Sequence, residues 1–208
     1  CVSCKACKRE CPVGVDMARM KVEVTAARAA RHGVPLHDRL IGNLPAYAPL
    51  ASGMSGLTNL LQSVWRFVPG LASLVSRATG FTTKRALPRW HGNAFQTGEI
   101  GSAPTGSGTP VVLFADTFNR YFEPENLRAA IRVLRAGGYD VFAPLPSQSK
   151  RPLCCGRTFL STGMVDRARS EARRLVTTFL PFAEAGIPIV GLEPCLLYTS
   201  DAADDLTR

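Results

Sequence analysis

The chain has 208 residues, of which 46% are hydrophobic and 20% are charged, and its formal net charge is +9. These values are ordinary for a globular protein and exclude a wholly disordered chain, a collagen and a coiled coil. The most apolar stretch, 57–75, is interrupted by polar residues and a proline, so no membrane span is expected. The arginines are scattered and accompany no nucleic-acid-binding motif, so no nucleic-acid partner is expected either.

Four of the seven cysteines lie within the first eleven residues, in the pattern Cys1-x-x-Cys4-x-x-Cys7-x-x-x-Cys11 followed by proline. This spacing is typical of the bacterial ferredoxin run that binds a [4Fe–4S] cluster, because a short loop with a thiolate at every third residue reaches three irons of the cubane. We therefore predict that these four cysteines are cluster ligands in a ferredoxin-type segment, 1–33. The alternative is a structural zinc site, but zinc usually takes two separated ligand pairs.

The fourth cysteine of such a run can serve a neighbouring cluster, as it does in two-cluster ferredoxins. In that case Cys11 belongs to a second cluster whose other ligands precede Cys1. The sequence begins with Cys rather than Met and shows no secretory signal. We therefore expect a fragment that carries the second half of a dicluster domain.

A helix is predicted after Asp16, with Met17 and Met20 packed in the core, and it should end near Gly33. Trp65 and Trp90 are expected to anchor the core or an interface, while His32, His37 and His91 have no ligand-like neighbours and are expected at the surface or in caps.

Residues 34–91 are predicted as a helical segment cut by prolines, and residues 92–110 as a linker, because nine of the ten residues 101–110 are Gly, Ser, Thr or Pro. Apolar residues recur at helical spacing in the helical segment, and we expect them to form one buried face. They are Leu57, Leu60, Leu61, Val64, Val68, Leu71, Leu74 and Val75.

Residues 111–194 show the alternation of strands and helices that is typical of an α/β domain. The predicted strands are 111–115, 139–142 and 187–192, separated by predicted helices 123–136 and 164–185. Alternation of strands and helices favours a parallel sheet. The predicted fold class is therefore α+β overall: a ferredoxin-like loop and a helical segment, followed by an incomplete α/β parallel-sheet domain.

Cys154 and Cys155 lie in the loop after the second predicted strand, followed by Gly156. That position is the carboxyl edge of the sheet, where ligands bind in such folds and where Asp116 and Glu193 also end strands. Adjacent free thiols oxidise readily, so we favour metal ligation by both cysteines over the alternative of two buried structural thiols. Gly156 permits a left-handed turn, and a following helix N-terminus should lower a thiol pKa.

Three stretches carry a resemblance to a known family: CKACKRECPVGVDMARMK, LFADTFNRYFEPENLRAA and PLCCGRTFLSTGMVDRARSEA. The Cys-Cys-Gly triplet resembles the CCG signature of heterodisulfide-reductase-like cysteine-rich domains. The order of segments is similar to the iron–sulfur subunit of glycolate oxidase, and more closely to the C-terminal half of fused FAD-linked D-2-hydroxyacid dehydrogenases of the D-lactate or D-2-hydroxyglutarate type.

The resemblance implies an electron-transfer module. In that family an upstream flavin domain oxidises a 2-hydroxy acid, and [4Fe–4S] clusters pass the electrons to an acceptor. FAD is therefore expected only on a part that precedes this chain, a flavin-containing domain or subunit is the expected partner, and the substrate-oxidising site is not expected here.

Two departures from the family pattern concern the second cluster. Such domains usually carry a Cys after the first strand, where this chain has Asp116 or Thr117. They also carry a Cys after the third strand, in the sequence Glu-Pro-Ser-Cys. In this chain Cys195 follows Glu193-Pro194 directly, one position earlier than in that pattern. Residues 195–208 read as the translation of a transposase-end sequencing adapter. We expect them to be a non-native tail, which leaves the domain 111–194 partial and Cys195 without a role.

Two other functions remain open on the sequence. The chain could be a subunit of a heterodisulfide- or quinone-linked reductase in which Cys154 and Cys155 bind a catalytic cluster. It could also be a structural zinc or interaction module. A cytoplasmic location is expected, with peripheral attachment at the inner membrane face left open.

Overall fold

The structure is a computed structural model that describes residues 6–82, 84–146 and 151–193. Its N-terminal part is helical, as predicted. The helices are α1 (Ala6–Arg9), α2 (Met17–His32), α3 (Leu36–Gly42), α4 (Leu44–Gly53), α5 (Ser55–Phe67) and α6 (Pro69–Thr79). Within the described residues, no helix combines the length and apolarity that crossing a membrane requires.

The C-terminal part is built on a parallel sheet. Its strands are β1 (Thr109–Phe114), β2 (Tyr139–Phe142) and β3 (Ile189–Gly191), in the order β2-β1-β3. The connecting helices are α7 (Thr117–Tyr121), α8 (Pro124–Ala136), α9 (Arg157–Ser161) and α10 (Val165–Glu184). Both strand pairs are parallel, with Val111 opposite Val141 and Leu113 opposite Val190. The predicted α+β fold class, with a parallel sheet after a helical segment, is confirmed.

The central strand β1 is buried on both faces because helices cover both. Alternate residues of a strand point to opposite faces. Leu113 lies in one apolar cluster with Leu127 of α8, and Val112 lies in another with Phe179 of α10. A strand buried on both faces reads as a continuous apolar run, which is the signal that marked β1 in the sequence.

The stretch 92–110, predicted as a linker, contributes side chains to this core. Phe95 is fully buried and Ile100 is 6% exposed, and both belong to the cluster on the α8 side of the sheet. The Arg120 guanidinium donates from Nη1 to the carbonyl oxygen of Phe95 over 2.9 Å. Phe95 and Ile100 precede 101–110, the stretch rich in Gly, Ser, Thr and Pro on which the linker prediction depended.

The expectation that the apolar residues of 57–75 form a buried face is wrong. In the described part of α5 and α6 these side chains face solvent, with Leu60 58% and Leu74 65% exposed. The polar side of α5 turns inward instead: the Asn59 side chain donates to the Trp90 carbonyl oxygen over 2.8 Å and accepts from the Trp90 N–H over 2.9 Å. The periodicity located the apolar face correctly, but hydrogen bonds to a residue 31 positions away decided which face is buried.

Helix α2 begins where it was predicted to begin, because the Asp16 carboxylate accepts from the Arg19 N–H over 2.8 Å. The expected core packing of Met17 and Met20 is wrong, since they are 49% and 50% exposed. Their face of α2 has no covering element among the described residues. Trp90 is buried as expected, whereas the side chain of Trp65 lies outside the described set.

The N-terminal helices dock on the α/β part through close backbone contacts. A Cβ on Gly163, between α9 and α10, would come within 2.8 Å of the Thr25 carbonyl oxygen in α2. The Thr158 hydroxyl of α9 donates to the Gly42 carbonyl oxygen over 3.1 Å. The helical segment is therefore seated beside the loop that carries the adjacent cysteines.

Candidate functional site

The carboxyl edge of the sheet brings the adjacent cysteines next to the segment that follows β1. The Thr117 side chain, the first residue of α7, forms a hydrogen bond with Cys154. The two residues are 37 positions apart, and their contact follows from the parallel pairing of β1 and β2. The structure thus joins two segments that the sequence placed at the same edge of the sheet.

Cys154 is a buried thiol in a setting that favours its ionised form. It is 4% exposed, and the Gly156 N–H donates to its Sγ atom over 3.4 Å. The pKa of Cys154 is lowered to about 7, chiefly by a hydrogen bond from the Cys155 thiol and further by those from Gly156 and Thr117, while burial and the Glu171 carboxylate oppose the shift. The pKa falls because these hydrogen bonds stabilise the thiolate more than the neutral thiol.

Cys155 is perturbed in the opposite direction. Its pKa is raised, first because it donates to Cys154, then by burial, by the negative charge of Cys154 and by Asp116, although the Arg157 N–H partly offsets these effects. The two thiols therefore ionise as a unit. Where the pair carries one negative charge, these hydrogen bonds favour placing the charge on Cys154 and the remaining proton on Cys155.

Gly156 makes this turn possible, as the sequence predicted. Its φ is +80°, a left-handed conformation that a side chain disfavours. A Cβ there would come within 2.7 Å of the Ala168 carbonyl oxygen and 3.3 Å of the Glu171 Cβ, both in α10. The loop lies directly on α10, and only a residue without a side chain fits between them.

An ionic network around the buried Glu171 carboxylate of α10 supports the loop that leads into Cys154. Glu171 is 7% exposed and accepts from Arg151 and from Arg174, the latter over 2.8 Å. Arg174 also donates to the carbonyl oxygens of Arg151 and Pro152, over 2.5 and 2.8 Å. Burial lowers the Arg174 pKa, while the charges of Glu171 and Cys154 favour its cationic form. These contacts fix the backbone that leads into Cys154.

The sequence did not identify Glu171 and Arg174 as parts of this site. The spacing of Glu171 carried a usable signal: it lies three residues after Ala168, on the same face of α10, and both are buried. A glutamate on the apolar face of a helix indicates a paired buried charge. Thr117, in contrast, was already named with Asp116 at the position where related domains carry a cysteine.

Asp116, one of the two residues at the position where related domains carry a cysteine, has a structural role. It is 1% exposed, and its Oδ1 atom accepts from the N–H groups of Phe118 and Asn119 over 2.8 and 3.1 Å. Its Oδ2 atom accepts from the Asn119 side chain over 2.7 Å. Both carboxylate oxygens therefore cap α7, and neither points to Cys154 through a hydrogen bond.

An open cleft of about 460 Å³ lies at the same edge of the sheet. It contains Glu193, the residue after β3 that the sequence placed there, together with Arg157 and Ser161 of α9. Phe118 and Phe122 give it an apolar wall. The carboxyl edge of the sheet thus combines the Cys154 sulfur, an open cleft, and side chains of both charges, Glu193 and Arg157.

The N-terminal cysteine run is only partly covered by the structure. Cys7 lies in α1 and is exposed, and Cys11 follows that helix and is partly buried. Cys1 and Cys4 lie outside the described residues, as does Cys195. Among the residues that are described, no group of three or more Cys, His, Asp or Glu side chains is placed to hold a metal ion. Cys154 and Cys155 would therefore need further ligands from beyond this set.

Comparison with known proteins gives relatives of one kind. The chain is 28% identical over 207 residues to D-2-hydroxyglutarate dehydrogenase of Pseudomonas putida, a match that covers 94% of this chain and 20% of that protein. The proteins of the same name from Pantoea ananatis and Escherichia coli are 23% and 22% identical, covering 93% and 95% of this chain and 19% of each relative. No family model and no solved structure matches. The chain thus spans about a fifth of the length of the curated relatives it matches.

Proposed function

We propose that this chain is the iron–sulfur electron-transfer part of an FAD-dependent D-2-hydroxyacid dehydrogenase, and that it passes electrons from the flavin to an acceptor. The observation that carries the proposal is the ferredoxin-type cysteine run at the start of a chain that is similar over 94% of its length to D-2-hydroxyglutarate dehydrogenases. We place the flavin and the oxidation of the 2-hydroxy acid in another part of the protein. A cytoplasmic location belongs to the same proposal.

The residues assigned to the cluster are Cys1, Cys4, Cys7 and Cys11. Four thiolates at this spacing have the donor chemistry of a [4Fe–4S] site, and the cluster, when bound, supplies one-electron transfer. Partial exposure of Cys7 and Cys11 leaves their sulfur atoms reachable at the surface of the described segment. The protein's contribution is to hold the thiolates and to set the reduction potential through hydrogen bonds and burial.

Cys154 and Cys155 are proposed as ligands of a second metal group. The lowered pKa of Cys154 supports this assignment, because a metal binds the thiolate and a lower pKa reduces the cost of deprotonating that sulfur. Cys155 would have to release its proton when a metal binds. Two thiols do not complete a cluster, so no reaction step is assigned to this group.

Anaerobic reconstitution with iron and sulfide tests the proposal on the 208-residue chain and on the complete protein. We expect visible charge-transfer absorbance and an EPR signal after reduction, with weaker assembly in the 208-residue chain if Cys11 serves a neighbouring cluster. Cys7→Ser should lower the iron content, whereas Cys195→Ser is the matched control and should leave it unchanged. A colourless, EPR-silent protein that holds zinc would contradict the proposal and favour a structural zinc module.

A heterodisulfide- or quinone-linked reductase subunit is the second candidate. The observation that favours it is the contact between two adjacent thiols beside an open cleft at the carboxyl edge of the sheet. If Cys154→Ser removes iron and the flavin resides on a separate polypeptide, this candidate is preferred. If the flavin domain precedes Cys1 on the same chain, the dehydrogenase module is preferred.

A further inference from the structure

Helices α5 and α6 expose an apolar surface that the fold holds outward. On α5 the stripe recurs at the one-face helical spacing of three and four residues, and each member is at least 45% exposed. On α6 two leucines one turn apart are 39% and 65% exposed. We call this surface the α5–α6 apolar face, and its members are Leu57, Leu60, Leu61, Val64, Leu71 and Leu74.

The outward orientation is fixed by specific contacts of the opposite side. Asn59 exchanges two hydrogen bonds with the Trp90 backbone, and the Thr58 hydroxyl donates to the Ala51 carbonyl oxygen over 3.1 Å. Rotating α5 to bury its leucines would break these bonds and leave the Trp90 backbone groups unpaired. The exposed stripe is therefore a property of the folded chain, and an apolar surface held outward in this way marks a binding surface.

The stretch of sequence that contains this face is basic. Residues 39–98 contain no Asp or Glu, although the chain has 16 acidic residues. The same stretch contains six basic residues, Arg39, Arg66, Arg77, Lys84, Arg85 and Arg89. Arg77, Lys84, Arg85 and Arg89 are exposed. The segment that contains the apolar face is thus basic, and Asp38 on α3, which packs against α6, is the acidic residue that directly precedes it in the sequence.

We propose that the α5–α6 apolar face lies on the surface of an anionic lipid bilayer. Amphipathic helices with leucines on one side and basic charges nearby insert into the boundary between headgroups and acyl chains without spanning the membrane. Two copies of this chain facing each other would bring positive charges together, which disfavours self-association. The proposal is independent of the iron–sulfur assignment, because it uses no cysteine and no cluster.

Vesicle flotation of the 208-residue chain, repeated with the complete protein, tests this surface. Flotation of the 208-residue chain but not of the complete protein would mean that another part of the protein covers the face, and would overturn the lipid assignment. Flotation separates bound protein from aggregates, which sink. We expect the chain to float with vesicles of equimolar phosphatidylglycerol and phosphatidylcholine, about tenfold or more above its binding to pure phosphatidylcholine. Binding should weaken as salt is added, because salt screens the attraction between exposed charges.

Matched variants separate the two contributions. Leu57→Ser with Leu61→Ser should weaken binding about tenfold or more, since both leucines would be withdrawn from the acyl boundary. Val176→Ser with Leu180→Ser on α10 is the control, because these side chains have the same spacing and similar exposure, 57% and 47%, but lie outside the apolar face. Circular dichroism should confirm that both variants keep the fold.

The charge variants follow the same design. Lys84→Gln with Arg85→Gln should lower the partition coefficient about fivefold per residue, as expected for basic groups near an anionic surface. Arg132→Gln with Arg135→Gln removes the same charge from exposed positions of α8 and should have little effect.

No flotation with anionic vesicles, equal binding to neutral vesicles, or equal losses in test and control variants would each overturn the proposal. If instead the chain sediments as a dimer that Leu57→Ser with Leu61→Ser dissociates, and it does not float, the face is an interface between copies and the lipid assignment is wrong.

Discussion

Replacing Gly156 by alanine should destabilise the protein through two separable effects. The left-handed conformation costs a non-glycine residue about 1–2 kcal/mol. The new Cβ would also lie 2.7 Å from the Ala168 carbonyl oxygen, and backbone cannot move away as a side chain can. Overpacking of this kind costs about 1–3 kcal/mol, so we expect a total loss of about 2–5 kcal/mol in the free energy of unfolding.

Gly186→Ala supplies the matched control. Gly186 also has a positive φ, +71°, but a Cβ there would meet nothing within 4 Å. Its substitution should therefore cost only the conformational part, about 1–2 kcal/mol. Urea unfolding of both variants and the parent, followed by circular dichroism under reducing, anaerobic conditions, gives the two losses. Equal losses in the two variants would refute the inferred close packing of the cysteine loop on α10.

Three further predictions concern the groups around this loop. Cys155→Ala should raise the pKa of Cys154 above its value of about 7, because the main hydrogen bond to the thiolate is lost, whereas Cys155→Ser should keep it low. Thiolate absorbance as a function of pH, measured against Cys154→Ser, checks this, and an unchanged midpoint in Cys155→Ala would contradict it. Asp116→Ala should cost about 2–4 kcal/mol in urea unfolding, since it removes a helix cap and leaves a buried amide unpaired; a loss below about 1 kcal/mol would contradict the capping role. Glu171→Gln should cost about 1.5–3 kcal/mol in urea unfolding because the half-buried Arg174 loses a hydrogen bond to a charged acceptor, and a neutral result would show that this ion pair contributes nothing to stability.

The sheet and its carboxyl edge could be predicted from the sequence because the signals are local. Apolar runs located β1 and β2, Pro124 marked the start of α8, and Asp16 marked the start of α2. Alternating strands and helices favour a parallel sheet, so the sequence could place Cys154 and the segment after β1 at the same edge, whereas the strand order that brings them into contact came from the structure.

The electrostatics of the thiol pair could not be predicted in the same way. A nearby helix N-terminus suggested a lowered thiol pKa, but the direction differs between Cys154 and Cys155. That difference depends first on which sulfur accepts the hydrogen bond between the two thiols, and then on which sulfur receives those from Gly156 and Thr117. The direction of a hydrogen bond is a property of the three-dimensional arrangement.

The sequence by itself determined the helical spacing of the apolar residues in α5 and α6, and the absence of acidic residues around them. Only the tertiary structure decided that this stripe faces outward, because the side of a helix that is buried depends on what the rest of the chain offers it. Here the Trp90 backbone offers Asn59 two hydrogen bonds, whereas no described element covers the leucines. Periodicity defines a face of a helix, and distant contacts decide its environment.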